Sequence, residues 1–330
     1  MFVNERIVKN KKYKYLEHSF RTGKKIRKVS FYLPKSKEKS LKEFLALNRK
    51  VIEKTAKERS EFIKRKYLHS KFFDYGTQIF TIEKSRIIYN IFYRKLSDEE
   101  KNRVMDDFLR RFLVNSMAME GGTISYDVAK AIDKEKKFSS KGINELDIPL
   151  YRQLRKAFEH LGKMHLRSPS QIKKLHKEIY AGVYPFAGEF RDKQVTFGDL
   201  NNLAITSEPK NIKRGYALAL KKYYDEKDKV FDFERTIMFH KDYQAVHGFE
   251  DGNSRLGRLI MMSQLMHQGY PPLLVKGAQS RAYRKSLVKA INENNNTSLL
   301  KFFYENYTRT FNKFWMPILE ESMKKNFAKM

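Results

Sequence analysis

The chain contains no cysteine, which excludes disulfide staples, thiolate-held metals and a cysteine nucleophile. It also has no apolar run approaching the roughly 20 residues needed to cross a bilayer. Its opening residues, Met-Phe-Val-Asn-Glu-Arg-Ile-Val-Lys-Asn, are too polar for the apolar segment of a secretion signal. These absences set the expectation of a cytoplasmic protein with no membrane partner. Acids are in the minority: 38 Asp and Glu face 68 Lys and Arg, a net charge of +30 over 330 residues. Such a surface favours anionic partners, whether nucleotide phosphates, nucleic acid or acidic protein. The excess is concentrated, since residues 1–70 hold 22 Lys/Arg against 7 Asp/Glu and so carry half of it. Internal repeats and long low-complexity tracts are missing as well.

Hydrophobic residues make up 41% and aromatics 14%, enough to fill one core beside an accessory region. Residues 13–33 alternate in character about Thr22-Gly23 and predict a basic β-hairpin, closed by Pro34 and the Lys/Ser stretch after it. A helical pattern starts at Leu41 and continues with a break to about Tyr75, and another covers 80–95. Ser97 and Glu100 fit a capping box for a third helix, which carries a stripe of Val104, Phe108 and Phe112. Glu120-Gly121-Gly122 ends it with residues suited to a left-handed cap. After an exposed connection at 133–142, helices are expected over 149–166, 169–181, 209–226, 231–246, 254–268, 279–292 and 297–327. The exception is 189–205, whose β-branched and aromatic residues around Gly198-Asp199 predict a small hairpin. The expected fold is mainly α with two small β pieces. It divides into a basic accessory region (1–95), a helix and connection (96–142), a helical core (143–305) and a C-terminal helix (306–330).

Chemistry concentrates in His247-Gly-Phe-Glu-Asp-Gly-Asn-Ser-Arg-Leu-Gly-Arg258, at the junction of two predicted helices. A turn of successive backbone N–H groups opening onto a helix N-terminus is an anion cradle. Gly252 permits positive φ and close approach of a phosphate. Arg255 and Arg258, three apart on the first turn, can both reach back toward that anion. Arginines there oppose the helix dipole, which argues for a bound anion. Asp251 beside a phosphate suits a bridging Mg²⁺, and His247 can act as a base near neutral pH. Taken singly, each of these residues is equally well read as a cap, a turn or a solvated face.

The stretch closely resembles the Fic family signature, His-Pro-Phe-x-Asp/Glu-Gly-Asn-Gly-Arg-x-x-Arg. It matches at His247, Phe249, Asp251, Gly252, Asn253, Arg255 and Arg258. Phe239-His240, Gly269-Tyr270-Pro271-Pro272 and Tyr184–Arg191 also resemble the family, so the likeness spans roughly 100–305. Gly248 stands in place of proline and Ser254 in place of glycine. The related Doc kinases carry lysine at the latter position, so its absence favours nucleotidyl over phosphoryl transfer. The resemblance implies a Fic-type helical bundle that moves AMP from ATP to a Tyr, Ser or Thr hydroxyl of a target protein. It implies that His247 takes the hydroxyl proton and that Asp251 holds Mg²⁺. Gly252, Asn253, Ser254 and the Arg255 backbone would line the phosphates, with Arg255 on the β-phosphate side and Arg258 on the γ-phosphate. Phe249 would anchor the loop, and the 189–205 hairpin would be the flap, with Gln194, Val195, Thr196 and Phe197 docking the target as an added strand.

Ser116-Met-Ala-Met-Glu120-Gly121 resembles the family's inhibitory helix. By that likeness Ser116 and Gly121 shape the helix end while Glu120 takes Arg258 from ATP, so self-modification is an expected readout. Three other readings stand beside this one. They are removal of AMP or phosphoryl transfer at the same site, nucleic-acid binding through the basic, aromatic 1–75 region, and a metal hydrolase built on His240, His247 and Asp251. The last lacks a His-Glu-x-x-His pattern.

Overall fold

A computed structural model describes residues 2–34, 41–67, 77–162, 164–199 and 202–328. The Lys/Ser stretch after Pro34, the continuation of the first helix toward Tyr75 and residues 200–201 of the small hairpin lie outside them. The chain divides into two compact units, Met1–Lys101 with Gly269–Pro271 and Thr308–Met330, and Asn102–Gln268 with Pro272–Tyr307.

In the first unit the expected hairpin is two-thirds of an antiparallel sheet, β1 (Phe2–Val8), β2 (Lys11–Thr22) and β3 (Lys25–Leu33), in that order. Lys9 and Asn10 join β1 to β2 at φ of 50° and 59°, the left-handed pair of a two-residue type I′ turn. Gly23 supplies the positive φ, 61°, between β2 and β3. One sheet face, with Leu16, Phe20, Val29 and Leu33, buries itself against Phe44, Leu47 and Val51 of α1 (Leu41–Lys66). Helix α2 (Gln78–Tyr93) packs on α1, and Arg59 clamps the fully buried Glu83 at 2.5 Å.

Helix α3 (Asp98–Ala118) opens with the expected box: Glu100 N–H donates to Ser97 Oγ (3.1 Å) and Ser97 N–H to Glu100 Oε2 (3.0 Å). A short α4 (Tyr126–Asp133), capped by Ser125, follows where no helix was read from the sequence. Then come α5 (Asp147–Leu161), α6 (Pro169–Tyr180), the two-residue strands β4 (Gly198–Asp199) and β5 (Asn202–Leu203), α7 (Ile212–Asp225), α8 (Asp232–Val246), α9 (Asn253–His267), α10 (Ser280–Asn292) and α11 (Thr297–Thr310). The small β piece expected within 189–205 is therefore antiparallel β4 and β5. Helices α8 and α9 are buried on most of their faces and form the centre of the second unit. They pack closely because Gly257 has no side chain: a Cβ there would lie 2.4 Å from Gln244 Nε2.

The single helix expected over 297–327 is interrupted. A π-helical turn, Phe311–Trp315, separates α11 from α12 (Met316–Ala328). Pro317 has no N–H for the Lys313 carbonyl and its ring crowds that position, so the wider turn absorbs the mismatch. The architecture is mainly α with small antiparallel β pieces. Among the described residues no helix is long and apolar enough to cross a membrane.

Candidate functional site

Helix α8 ends where His247 enters the left-handed region at φ 47°, a conformation costly for a residue with a Cβ. Arg191, 4% exposed, holds it there. Its backbone N–H donates to Gly248 O (3.0 Å) and its Nε to His247 O (2.7 Å), while its Nη groups reach Lys193 O (2.6 Å), Thr206 Oγ1 (3.4 Å) and Ser207 O. A guanidinium at this end of α8 also complements the helix dipole.

The loop beyond is braced from inside. Asn253 accepts from Phe249 N–H (3.0 Å) and donates to Phe249 O (2.8 Å), so its side chain shapes the loop rather than facing a ligand. The fully buried Phe249 ring lies on His176, 3.8 Å between centres and 7° from parallel. Gly188 N–H donates to His176 Nδ1 (2.9 Å), which must be unprotonated, and Nε2–H donates to Asp251 O (3.0 Å). Burial lowers the His176 pKa to about 4, which preserves that neutral tautomer.

Two glycines have no room for a side chain. A Cβ at Gly252 (φ 84°) would stand 2.4 Å from the Tyr180 ring, whose hydroxyl donates to Gly252 O (3.3 Å). A Cβ at Gly248 would stand 2.5 Å from Tyr216, and Gly248 N–H donates to the Tyr216 hydroxyl (3.0 Å). Proline at 248 would collide with Tyr216 and forfeit that bond, which accounts for the departure from the signature. Leu256 N–H makes the first α9 bond, to Gly252 O (3.0 Å). The amides of Asn253, Ser254 and Arg255 thus precede the helical ladder, at its positive end. Ser254 itself is half-buried.

The two arginines were expected to face one anion together, and the structure sends them to different acids. Arg255 reaches Asp251 Oδ2 (2.7 Å) and the Tyr184 hydroxyl (3.4 Å). Burial alone would raise the Asp251 pKa, but Arg255 and the Gly252 N–H hold the carboxyl below its usual range. Arg258, 1% exposed, donates to Ser116 Oγ (3.0 Å), Ser116 O (2.7 Å) and Glu120 Oε1 (2.9 Å). Glu120 stands in the turn after α3, where Gly121 takes φ 85° and Gly122 N–H returns to Met117 O (2.9 Å). Ser280 Oγ (3.0 Å) and Arg284 (3.2 Å) donate to Met119 O, and Asn115 accepts from Gly277 N–H (2.9 Å). These bonds tie the α3 terminus to the segment leading into α10.

His247 is 8% exposed. Burial, reinforced by Arg191, lowers its pKa to about 4 against the opposing pull of the Gln244 backbone. Nδ1 is sealed from solvent without a well-formed hydrogen bond. The Phe197 ring stacks on the imidazole at 4.5 Å. Gln194 donates to Thr206 O (3.2 Å) and Oγ1 (2.8 Å), the Thr206 hydroxyl to Val195 O (2.5 Å), and Ala204 N–H to Phe197 O (2.7 Å). Thr196 is exposed between them. His240 has no nitrogen left for a metal: Nδ1 bonds Gly257 O (3.1 Å) and Nε2 the Tyr283 hydroxyl (2.8 Å). Among the described residues no group of three His, Cys, Asp or Glu could hold a metal by itself.

Arg191, His176, Tyr180 and Tyr216 were not singled out individually from the sequence. Only the Tyr184–Arg191 resemblance pointed toward one of them, and none lies within 30 residues of its loop partner.

Residues 167–265 match the Fic/DOC family model. Among curated proteins, the chain is 24% identical over 196 residues to "Protein adenylyltransferase Fic" of Nematostella vectensis, covering 57% of this chain and 44% of that protein. It is 27% identical over 192 residues to "Protein adenylyltransferase fic-1" of Caenorhabditis briggsae, covering 56% and 37%. The chain therefore spans less than half the length of these curated relatives. Among solved structures, a Fic domain containing signaling protein from Bacteroides thetaiotaomicron superposes with a TM-score of 0.63 at 18% identity, over 73% of this chain and 97% of that one. Fic-1 (residues 134–508) from C. elegans gives 0.61 at 17% identity, over 85% and 88%. At those identities the likeness shows the fold. The matched segment runs from α6 into α9, so this part of the chain carries a Fic/DOC domain within a mainly helical fold like that of these structures.

Proposed function

We propose that the protein is an adenylyltransferase that moves AMP from ATP onto a Tyr, Ser or Thr hydroxyl of a protein, releases pyrophosphate, and is restrained by its own Glu120. The observation that carries this reading is the α8–α9 junction, where a neutral imidazole stands beside a helix N-terminus and a buried arginine is engaged by an acid from the turn after α3. In this reading His247 Nε2 takes the hydroxyl proton as the oxygen attacks the α-phosphorus and pyrophosphate leaves. The Gln244 backbone, which pulls the His247 pKa upward, then favours the imidazolium that forms. Amides at the start of α9, from Asn253 through Arg255 and including Ser254, stabilise charge on the phosphates, while the Gly252 N–H holds Asp251. Asn253 keeps them aimed by shaping the loop.

The half-exposed, ionised Asp251 carboxylate has the chemistry to hold Mg²⁺, which when bound neutralises phosphate oxygens. Arg255 serves the β-phosphate side and Arg258 the γ-phosphate. Glu120 competes for Arg258, so ATP seats productively only when that acid yields. Gln194 to Phe197 form the edge that aligns the target segment, with Phe197 also fixing the His247 ring.

The test is incubation with labelled ATP, comparing the parent, Glu120→Gly and His247→Ala by mass spectrometry of self-modified protein and of candidate targets. His247→Ala should lose about 10²–10⁴-fold in rate, as removal of a general base does. Labelling at the parental rate in that variant would refute the assignment.

A further inference from the structure

The second face of the N-terminal sheet carries side chains that adenylyl transfer does not use. Alternate residues of a strand share a face, and residues opposite one another share it too. Leu16 pairs with Val3 and Phe31 on the side packed against α1. The other side sets Tyr15 between Asn4 and Tyr32, Tyr13 opposite Arg6, Glu17 opposite Ser30 and Lys28 opposite Ser19.

The rings there form one group: Tyr32 lies 5.9 Å from Tyr13 and 5.7 Å from Tyr15, and Arg6 sits 4.5 Å from the Tyr15 ring centre. Tyr32 is 47% exposed. Among the described residues, the one acid on this side is sealed. Glu17 is 0% exposed beneath Arg6, Lys28 (2.9 Å), Asn4 (3.1 Å) and Ser30 (3.0 Å). Burial would raise its pKa, but these donors hold it at about 2. Arg6 and Lys28 meanwhile keep 41% and 44% of their side chains in solvent. The face therefore presents aromatic rings and cations outward, with its negative charge neutralised beneath them.

We propose that this face binds single-stranded nucleic acid, with bases stacked on Tyr13, Tyr15 and Tyr32 and phosphates running past Arg6, Lys11 and Lys28. Cations alone would attract any polyanion. The clustered rings favour a strand whose base faces are open, which a duplex hides. An acidic polypeptide would gain nothing from them.

Fluorescence anisotropy with the full chain tests this, using a single-stranded deoxythymidine oligomer, a uridine oligomer and a DNA duplex at rising salt. Single strands should bind more tightly than the duplex, with affinity falling as salt rises. Replacing all three tyrosines by alanine should weaken single-strand binding by about 10²-fold or more, while the triple phenylalanine variant stays within a few-fold of the parent. Should thermal unfolding show that the triple alanine variant is not folded, Tyr32→Ala alone should still lose about 5-fold or more. Alanine variants that are folded and bind like the parent overturn the proposal. So do equal affinity for duplex, absence of binding at low salt, or displacement of the oligomer by polyglutamate as readily as by unlabelled oligomer.

Discussion

Glu17 in the N-terminal sheet has no exposed surface and accepts from four side chains, while the cations over it reach into solvent. Glu120, at the end of α3, keeps 26% of its side chain exposed and engages Arg258 through one oxygen, and here it is the cation that is buried, at 2%. The same pair of charges is thus built in opposite senses. An acid enclosed by donors cannot leave without unfolding the sheet around it. A buried arginine requires an anion but does not specify which one, so an acid at the rim can be exchanged for a phosphate. Glu17 is a structural member, and the geometry of Glu120 is that of a removable one.

The largest expected effect on this contrast comes from acid. His176 and His247 have pKa values of about 4 and His240 about 3, lowered by burial from 6.5. The unfolded chain therefore takes up protons first, and the stability of these neutral sites is lost as pH falls from 6.5 toward 4, and for His240 toward 3. His18 of the sheet, also lowered to about 4, shares that window. Glu17 behaves differently: ionised down to about 2 when folded and protonated below about 4.5 when unfolded, it loses its contribution between those values. Melting temperature against pH should show both declines, and Glu17→Gln should shrink only the lower one.

Next in size, Glu120→Gly should raise AMP transfer by about 5–150-fold, the range of a coupling of 1–3 kcal/mol between an inhibitory contact and substrate binding. Initial rates of self-labelling measure it. Glu17→Gln at neutral pH should cost a comparable amount, about 1–3 kcal/mol in denaturant unfolding, from weakened charged hydrogen bonds, but its effect on AMP transfer is the smallest, with the rate unchanged. A rise in transfer for Glu17→Gln would erase the distinction between the two acids.

Much of the site was readable because it is contiguous: twelve residues from His247 to Arg258 carry the turn, the left-handed glycine and both arginines. The α3 capping box and the left-handed Gly121 were equally local. What escaped the sequence is what reaches the loop from far away. Arg191 grips His247 O, the His176 imidazole bonds Asp251 O, and the Tyr216 hydroxyl fills the slot that makes Gly248 necessary. No periodicity encodes such partners. The Glu120–Arg258 pair was expected from the likeness to the inhibitory helix and is present, whereas the Arg255–Asp251 pair was missed, because the loop lets Asp251 fold back onto the helix it precedes. Strand β1 was missed because Phe-Val-Asn-Glu-Arg-Ile-Val does not alternate strictly, and its register comes from β2. The break at Phe311–Trp315 needed attention to Pro317, which an apolar stripe continuing on both sides concealed.

The most direct test of the account is incorporation of label from ATP by Glu120→Gly beside the double variant Glu120→Gly/His247→Ala. The account predicts that the single variant labels itself faster than the parent and that the double variant loses this labelling by about 10²-fold or more. A single variant no faster than the parent, or a double variant as active as the single, would contradict it.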